Sequence, residues 1–361
     1  MLKGADSRMK KTDINSVEIA RLAGVSRSTV SRVINNYSNV PAHTREKVME
    51  VIREHNYFPN ASAQMLAGKS SRTIGLFLIE PGTVASDTLT NMLIVSVIEH
   101  ASSLGYFVLT HIIRDPADTV TLRRVKEIFF QRRIDGGIFI GAAIREPFLD
   151  ELAAEGFTIG IVDQVQDGRQ QPGRLTAEFN NALGMEQAVS YLQKLGHRNI
   201  ALINGDMNRL SGPQKYEGYR DAMRNNGLTV RPEWVLPGSF SESGGYAAAQ
   251  HLLQAGGPLP TALIAANDSA AFGAVRALRE HGLAVPEGMS VIGFDDHPLS
   301  SRHQPALTTI RFDMGEMLQR LTSALIGEIE QGQEGADEDA VLIRSIRQDC
   351  SLVIRDSCRR I

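Results

Sequence analysis

The chain has 361 residues, 42% of them hydrophobic and 22% charged, which allows two or three domains with cores of their own and excludes a disordered or collagen-like polymer. No uncharged apolar run reaches membrane-spanning length and no export segment is visible, so a cytoplasmic protein without a membrane partner is expected. The formal net charge of -3 hides a division, because the first 72 residues carry 12 Lys/Arg against 6 Asp/Glu and the rest 26 against 35, a basic head on an acidic body that suits contact with phosphate at one end.

In chain order, Val17, Ile19, Ala20 and Ala23 predict a first helix over 17–23, with the small Ala20 at a close contact. Gly24 can take the left-handed backbone of a sharp turn, Val25 fills the corner, and Ser26 is a good N-cap. Val30, Val33 and Ile34 then face inward on a second helix, leaving Arg27, Ser28 and Arg32 outward near its start. This spacing is that of a helix-turn-helix whose second helix offers side chains to base edges; the plainer alternative is a helical hairpin with a solvated basic face. A third helix over 44–56, with Val48, Val51, Ile52 and His55 on one face, closes a three-helix core. After Pro59 and Asn60, the segment 61–67 is too short to be a stable helix alone.

From Arg72 onward, short apolar runs at 74–79, 138–140, 157–162, 200–203, 262–266 and 290–294 read as buried parallel strands. Helical stretches such as 180–195 and 268–281 lie between them. Nine or ten strands are too many for one ordinary open sheet, so two lobes are expected. Ligands of parallel sheets bind where strands end, and Asp163, Asn204, Asn267 and Asp268 follow such strands directly. Asp268 also stands where a helix N-cap is wanted. The two cysteines, Cys350 and Cys358, make neither a disulfide framework nor a metal site and are expected to be reduced. No nucleophile elbow, zinc-binding helix or P-loop appears, the nine His are scattered, and Gly244-Gly245 lacks the setting of a dinucleotide fingerprint, so neither catalysis nor a cofactor is expected.

Five motifs occur together: A-R-L-A-G-V-S-x-x-T-V-S-R-V-I-N-N from Ala20, V-x-x-x-T-R-E-K-V from Val40, Y-x-P-N-x-x-A-x-x-L from Tyr57, A-N-D-x-x-A-x-G from Ala266 and S-V-I-G-F-D-D from Ser290. Through them the chain resembles the LacI/GalR family of bacterial transcriptional regulators from about Thr12 to Arg355. The resemblance implies an all-α helix-turn-helix head and an α/β two-lobed, periplasmic-binding-protein-like effector domain that dimerises. It divides the chain into a tail (1–11), head (12–58), hinge (59–71) and effector domain (72–361), with lobe crossovers expected near 163–164, 295–296 and 311–313. Implied DNA contacts are Ser26, Arg27, Ser28, Thr29, Ser31, Arg32, Asn35, Tyr57, Asn60, Ala63 and Leu66, the last as a wedge in the minor groove. Implied effector contacts are Asp268, Phe240, Lys215, Asp163, Asn91 and Phe312, with Asp87 and Thr88 on the same first-lobe loop and helix start. Lys215 stands where the family usually has Arg, and Lys lacks the planar two-pronged donor. Phe312 replaces a residue that is often Gln. The expected function is repression of transcription controlled by a sugar; a purine or a partner protein as the signal is the alternative.

Overall fold

A computed structural model describes residues 14–34, 37–58, 70–79, 88–165, 173–334 and 344–361. The chain divides into two units, Met1–Ser71 and Arg72–Ile361.

The first unit holds helices α1 (Ser16–Leu22), α2 (Arg27–Ile34) and α3 (Ala42–Glu54). Asn15 caps α1, its side chain accepting from the backbone N–H groups of Val17 and Glu18 at 2.9 and 3.1 Å. Ser26 caps α2, accepting from Thr29 N–H at 3.1 Å. Gly24 joins them at φ +62°, a conformation open to Gly at little cost. The core is Ile19, Ala20, Ala23, Val30, Val33, Val40 and Val48, with Val25, Ile34, Val51, Ile52 and Tyr57 against it. One apolar residue of α1 lies outside this core, and one expectation, His55 on the core face, fails. Val17 is 56% exposed, because it lies two residues from Ile19 and a helix turns about 200° in two steps. His55 is exposed, because α3 ends one residue before it.

Among its described residues the second unit contains two six-stranded sheets, where nine or ten strands in all were expected. In chain order its first elements are β1 (Thr73–Ile79), α4 (Thr88–Ser103), β2 (Phe107–Ile113), α5 (Thr119–Phe130), β3 (Gly136–Ile140), α6 (Pro147–Ala154), β4 (Thr158–Val162) and β5 (Arg174–Phe179). Then come α7 (Asn181–Lys194), β6 (Ile200–Ile203), α8 (Ser211–Asn225), β7 (Val235–Leu236), α9 (Glu242–Gln254), β8 (Ala262–Ala265), α10 (Asp268–Glu280), β9 (Ser290–Phe294) and β10 (Thr308–Phe312). The long α11 (Met314–Glu334), β11 (Ser345–Gln348) and β12 (Cys350–Val353) follow.

The first lobe's sheet has the order β11-β5-β4-β3-β1-β2, all neighbours parallel. The second lobe's has the order β12-β10-β9-β8-β6-β7, parallel except for β12. Central strands such as β8 and β9 are buried along their whole length, whereas the edge strand β2 is not. Burying a Leu, Ile or Phe side chain stabilises by about 1.5–3 kcal/mol, so Leu318, Leu321 and Leu325 of α11 fasten that helix to the first sheet. In the second lobe α9 and α10 touch through glycine: a Cβ on Gly273 would lie 1.9 Å from Glu242 O.

The crossovers correct two of the three expected positions. The chain passes between sheets after β5, at Asn180; after β10, at Asp313; and between β11 and β12, at Asp349. At 163–164 it turns back to lay β5 beside β4, with Asp163 N–H on Ala177 O at 2.7 Å. At 295–296 it stays in the second lobe, where β10 pairs with β9. The crossing segments are tied together: Asn180 donates to Asp349 at 2.7 Å and accepts from Arg347 at 2.8 Å.

Candidate functional site: a basic helix and a cavity between two lobes

On the first unit, α2 exposes Arg27, Ser28, Ser31 and Arg32 along one side. The hydroxyl of Ser26 also lies 2.7 Å from Ser28 Oγ and 2.8 Å from Thr29 Oγ1, so the first turn of the helix is knit before any ligand arrives. Arg27 Nε donates to Ser16 Oγ at 3.1 Å, which draws its guanidinium toward the start of α1. Thr29 and Tyr57 are half-buried, and Tyr57 packs on the head's core. Asn35, Asn60, Ala63 and Leu66 lie outside the described residues.

On the second unit, a cavity of about 210 Å³ opens between the ends of β1, β3 and β4 on one lobe and the loops after β6, β8 and β9 on the other. Among the expected residues Asp163, Lys215, Phe240 and Phe312 line it. Asp163 sits at φ +62°, uncommon for a residue with a side chain. Its carboxylate reaches from the first lobe to the N-terminus of α8, accepting from Ser211 Oγ at 2.6 Å and Ser211 N–H at 3.2 Å. Negative charge is favoured at that end of a helix. Arg209 makes a second bridge, donating to Ile79 O at 3.3 Å.

Lys215 is buried, and its ammonium donates to Ala266 O at 2.6 Å. It stands 4.5 Å from the centre of the Phe294 ring and 5.5 Å from that of Phe240. Burial pulls its pKa below the usual lysine value, while the charges of Asp295, Asp163 and Asp268 pull the other way. Phe240 is held by its backbone, because Asn267 caps α10 through Ala270 N–H and donates its amide to Phe240 O at 2.9 Å. Phe312 packs on Phe179 with ring centres 5.0 Å apart, forming an aromatic wall.

Two expected residues lie elsewhere. Asp268 is 1% exposed and does not line the cavity. Its carboxylate accepts from His297 N–H at 2.7 Å, Ser300 Oγ at 2.5 Å and Thr309 Oγ1 at 2.6 Å, tying α10 to β10 and to the loop after β9. Asn267, not Asp268, is the cap of α10. Asn91 lines a neighbouring crevice of about 680 Å³ beside α4 that also includes Phe312 and Asp295. Asn204, another strand-end candidate, is buried, with its amide on Met207 Sδ at 3.0 Å. Asp87 lies outside the described residues, and Thr88 is described only as the first residue of α4.

The cavity also uses Asp295, which the resemblance placed at a lobe crossover as a hinge or cleft residue, and Arg209 and Asn181, which the sequence reading did not assign to it. Asp295 follows β9 directly, so the rule that singled out Asp163 would have found it. Asp295 and Asp296 have φ +98° and +52°. Strained backbone of this kind gathers at binding sites when its surroundings hold it in place. Asp296 is such an anchor, paired with Arg311 at 2.6 Å and Arg355 at 2.5 Å. Burial raises both Cys350 and Cys358 thiols to about 11, so neither is a thiolate at neutral pH. Among the described residues no helix is long and apolar enough to cross a membrane.

Residues 17–60 match the family model for bacterial regulatory proteins, lacI family, and residues 189–358 match that for a periplasmic binding protein-like domain. The HTH-type transcriptional repressor PurR of Haemophilus influenzae is 33% identical over 323 residues, covering 89% of this chain and 93% of the relative. A lac repressor dimer bound to operator and the anti-inducer ONPF superposes with a TM-score of 0.77 at 29% identity, covering 96% of this chain and all of that one. The complex of the transcriptional regulator CelR with cellobiose gives 0.71 at 25% identity, covering 95% and 99%.

Proposed function

The chain belongs to the LacI family of bacterial regulatory proteins, and from that membership we propose that it represses transcription by binding an operator whose hold is set by a small effector between the two lobes. The observation that carries the effector reading is the interlobe cavity, where an aromatic ring, a buried ammonium and two carboxylates converge. An effector bridging Asp163 and Asp295 touches both lobes, so its binding energy is spent on one lobe arrangement over another. We read the chain as a regulator and not as an enzyme, as its relatives are.

The effector we propose is a sugar. Carboxylates accept from neighbouring hydroxyls while Phe240 offers an apolar face, and CelR, a structural relative, holds cellobiose. A purine is the second reading, favoured by the flat Phe240 ring with the donors Arg209 and Lys215 nearby. Thermal shift of the full-length protein against sugars, sugar phosphates and nucleobases separates the two. A ligand at 100 times its Kd adds roughly 2.7 kcal/mol of stability. A nucleobase shift without any sugar shift would reject the sugar. Asp295→Ala is then expected to lose the effector's influence on operator binding, since a half-buried carboxylate is removed from the cavity wall. Normal effector control of operator binding in that variant would exclude Asp295 from the site.

Operator binding is proposed as that of a homodimer on a pseudo-palindromic site. Met92, Val95 and Ile98 on α4, with Phe107 and Ile112 on β2, leave apolar surface that a second copy would cover, and the related lac repressor is a dimer on its operator. Residues 59–71 are the proposed hinge between head and effector domain, and Leu66 is the proposed minor-groove wedge. Leu66→Ala is expected to weaken operator binding and reduce DNA bending, with effector affinity unchanged. Gel mobility of circularly permuted operator fragments reads the bend; an unchanged bend would make the segment a passive tether.

A further inference from the structure

We propose that Asn181 is a specificity-determining residue of the cavity, its amide oxygen accepting a hydrogen bond from an effector hydroxyl; this rests on the sugar reading above. Asn181 lines the cavity, is 1% exposed, and its Oδ1 is buried with no hydrogen-bond partner. The polarity of this amide is dictated by its neighbours. The Asp163 carboxylate can only accept, so Ser211 Oγ, 2.6 Å away, must donate its single proton there. Ser211 Oγ is then an acceptor toward Asn181, and the atom facing it at 3.2 Å must be the amide nitrogen. The same nitrogen donates to Gln214 Oε1 at 2.9 Å. Both amide protons are thereby used within the protein, and the oxygen is the group left to the cavity.

A buried acceptor without a donor is costly, and a ligand that supplies the donor recovers that cost on binding. Lys215, on the same cavity, presents the opposite demand: one of its three ammonium protons goes to Ala266 O, and it can only donate. The effector must therefore accept at Lys215 and donate at Asn181. Sugar hydroxyls do both. A carboxylate or phosphate oxygen satisfies Lys215 but has no proton for Asn181.

The test is calorimetric titration of the full-length protein with D-glucose, D-galactose, D-ribose, cellobiose, D-galacturonate and hypoxanthine. A sugar that binds the wild type is expected to bind Asn181→Ala about tenfold more weakly. Fluorine accepts poorly and cannot donate, so in the monodeoxyfluoro series of that sugar one position should lose about tenfold in the wild type and nothing further in Asn181→Ala. This second comparison is made largely within the wild-type protein and survives any general loosening of the variant. Full sugar affinity in Asn181→Ala, or fluoro losses identical in both proteins, overturns the assignment and leaves the sugar reading standing. Binding of hypoxanthine alone overturns the sugar reading, and the hydroxyl with it.

Discussion

Asp268→Ala is expected to destabilise the two-lobed unit by about 3–5 kcal/mol, lowering its melting temperature by roughly 10 °C. The carboxylate joins three segments far apart in the chain, and its loss strands the His297 N–H and the Ser300 and Thr309 hydroxyls, all at buried sites. His297, the first residue it anchors in the loop after β9, lies two residues after Asp295, so effector binding should weaken along with stability. Asp268→Asn is expected to be milder. Its oxygen can keep His297 and Ser300 while its amide donates to Thr309, whose hydroxyl turns to accept. Circular-dichroism melts compare the variants, and an Asp268→Ala protein as stable as the wild type would show the network to be idle.

The same residue gives stability a pH slope of defined sign. Burial raises the Asp268 carboxyl to about 8, helped by the charge of Asp295 and opposed by the hydrogen bonds from Ser300, Thr309 and His297. The folded protein therefore holds a proton that an unfolded chain releases near pH 4, as an ordinary aspartate does, at about 3.9. Stability from that proton is complete below about pH 4 and is lost as the pH rises toward 8. Asp268→Asn cannot titrate and should flatten this part of the slope. Parallel slopes in wild type and Asp268→Asn between pH 5 and 8 would mean that the three donors hold the carboxylate ionised.

The Arg27→Ala/Arg32→Ala double variant is expected to lose at least about thirtyfold in operator affinity, because each good bidentate base contact is worth roughly 1–3 kcal/mol. Both side chains are exposed on α2 and neither supports the head's core, so the fold should survive. Binding should also weaken steeply with salt, as phosphate contacts release counterions. Fluorescence anisotropy on a labelled operator at several salt concentrations measures both effects. Because Arg27 leans on Ser16, its contribution should fall more on affinity, and that of Arg32 more on sequence preference. Full affinity in the double variant would move recognition off this helix.

The head was legible in the sequence because its information is local. A 3.6-residue period, the left-handed turn at Gly24 and the cap at Ser26 all act within a few residues, and α1 and α2 form where they predict. Buried central strands were legible for a similar reason, as runs of apolar residues too short for helices. The edge strands β7, β11 and β12 were not, being two to four residues long and partly exposed. The crossovers failed on a different ground: a strand end followed by Asp looks alike whether the chain crosses to the other lobe, as at Asp313, or folds back, as at Asp163.

What the sequence determined by itself was therefore the two-part organisation, the helix-turn-helix and the rule that ligand groups follow parallel strands. Which aspartate meets the cavity was decided only by tertiary structure. Asp268 and Asp295 both stand just beyond a strand. Yet Asp268 opens a helix that turns it onto donors 29, 32 and 41 residues away, while Asp295 is held at φ +98° on the cavity wall. A carboxylate's role depends on which donors reach it first, and those arrive from segments that only folding brings together.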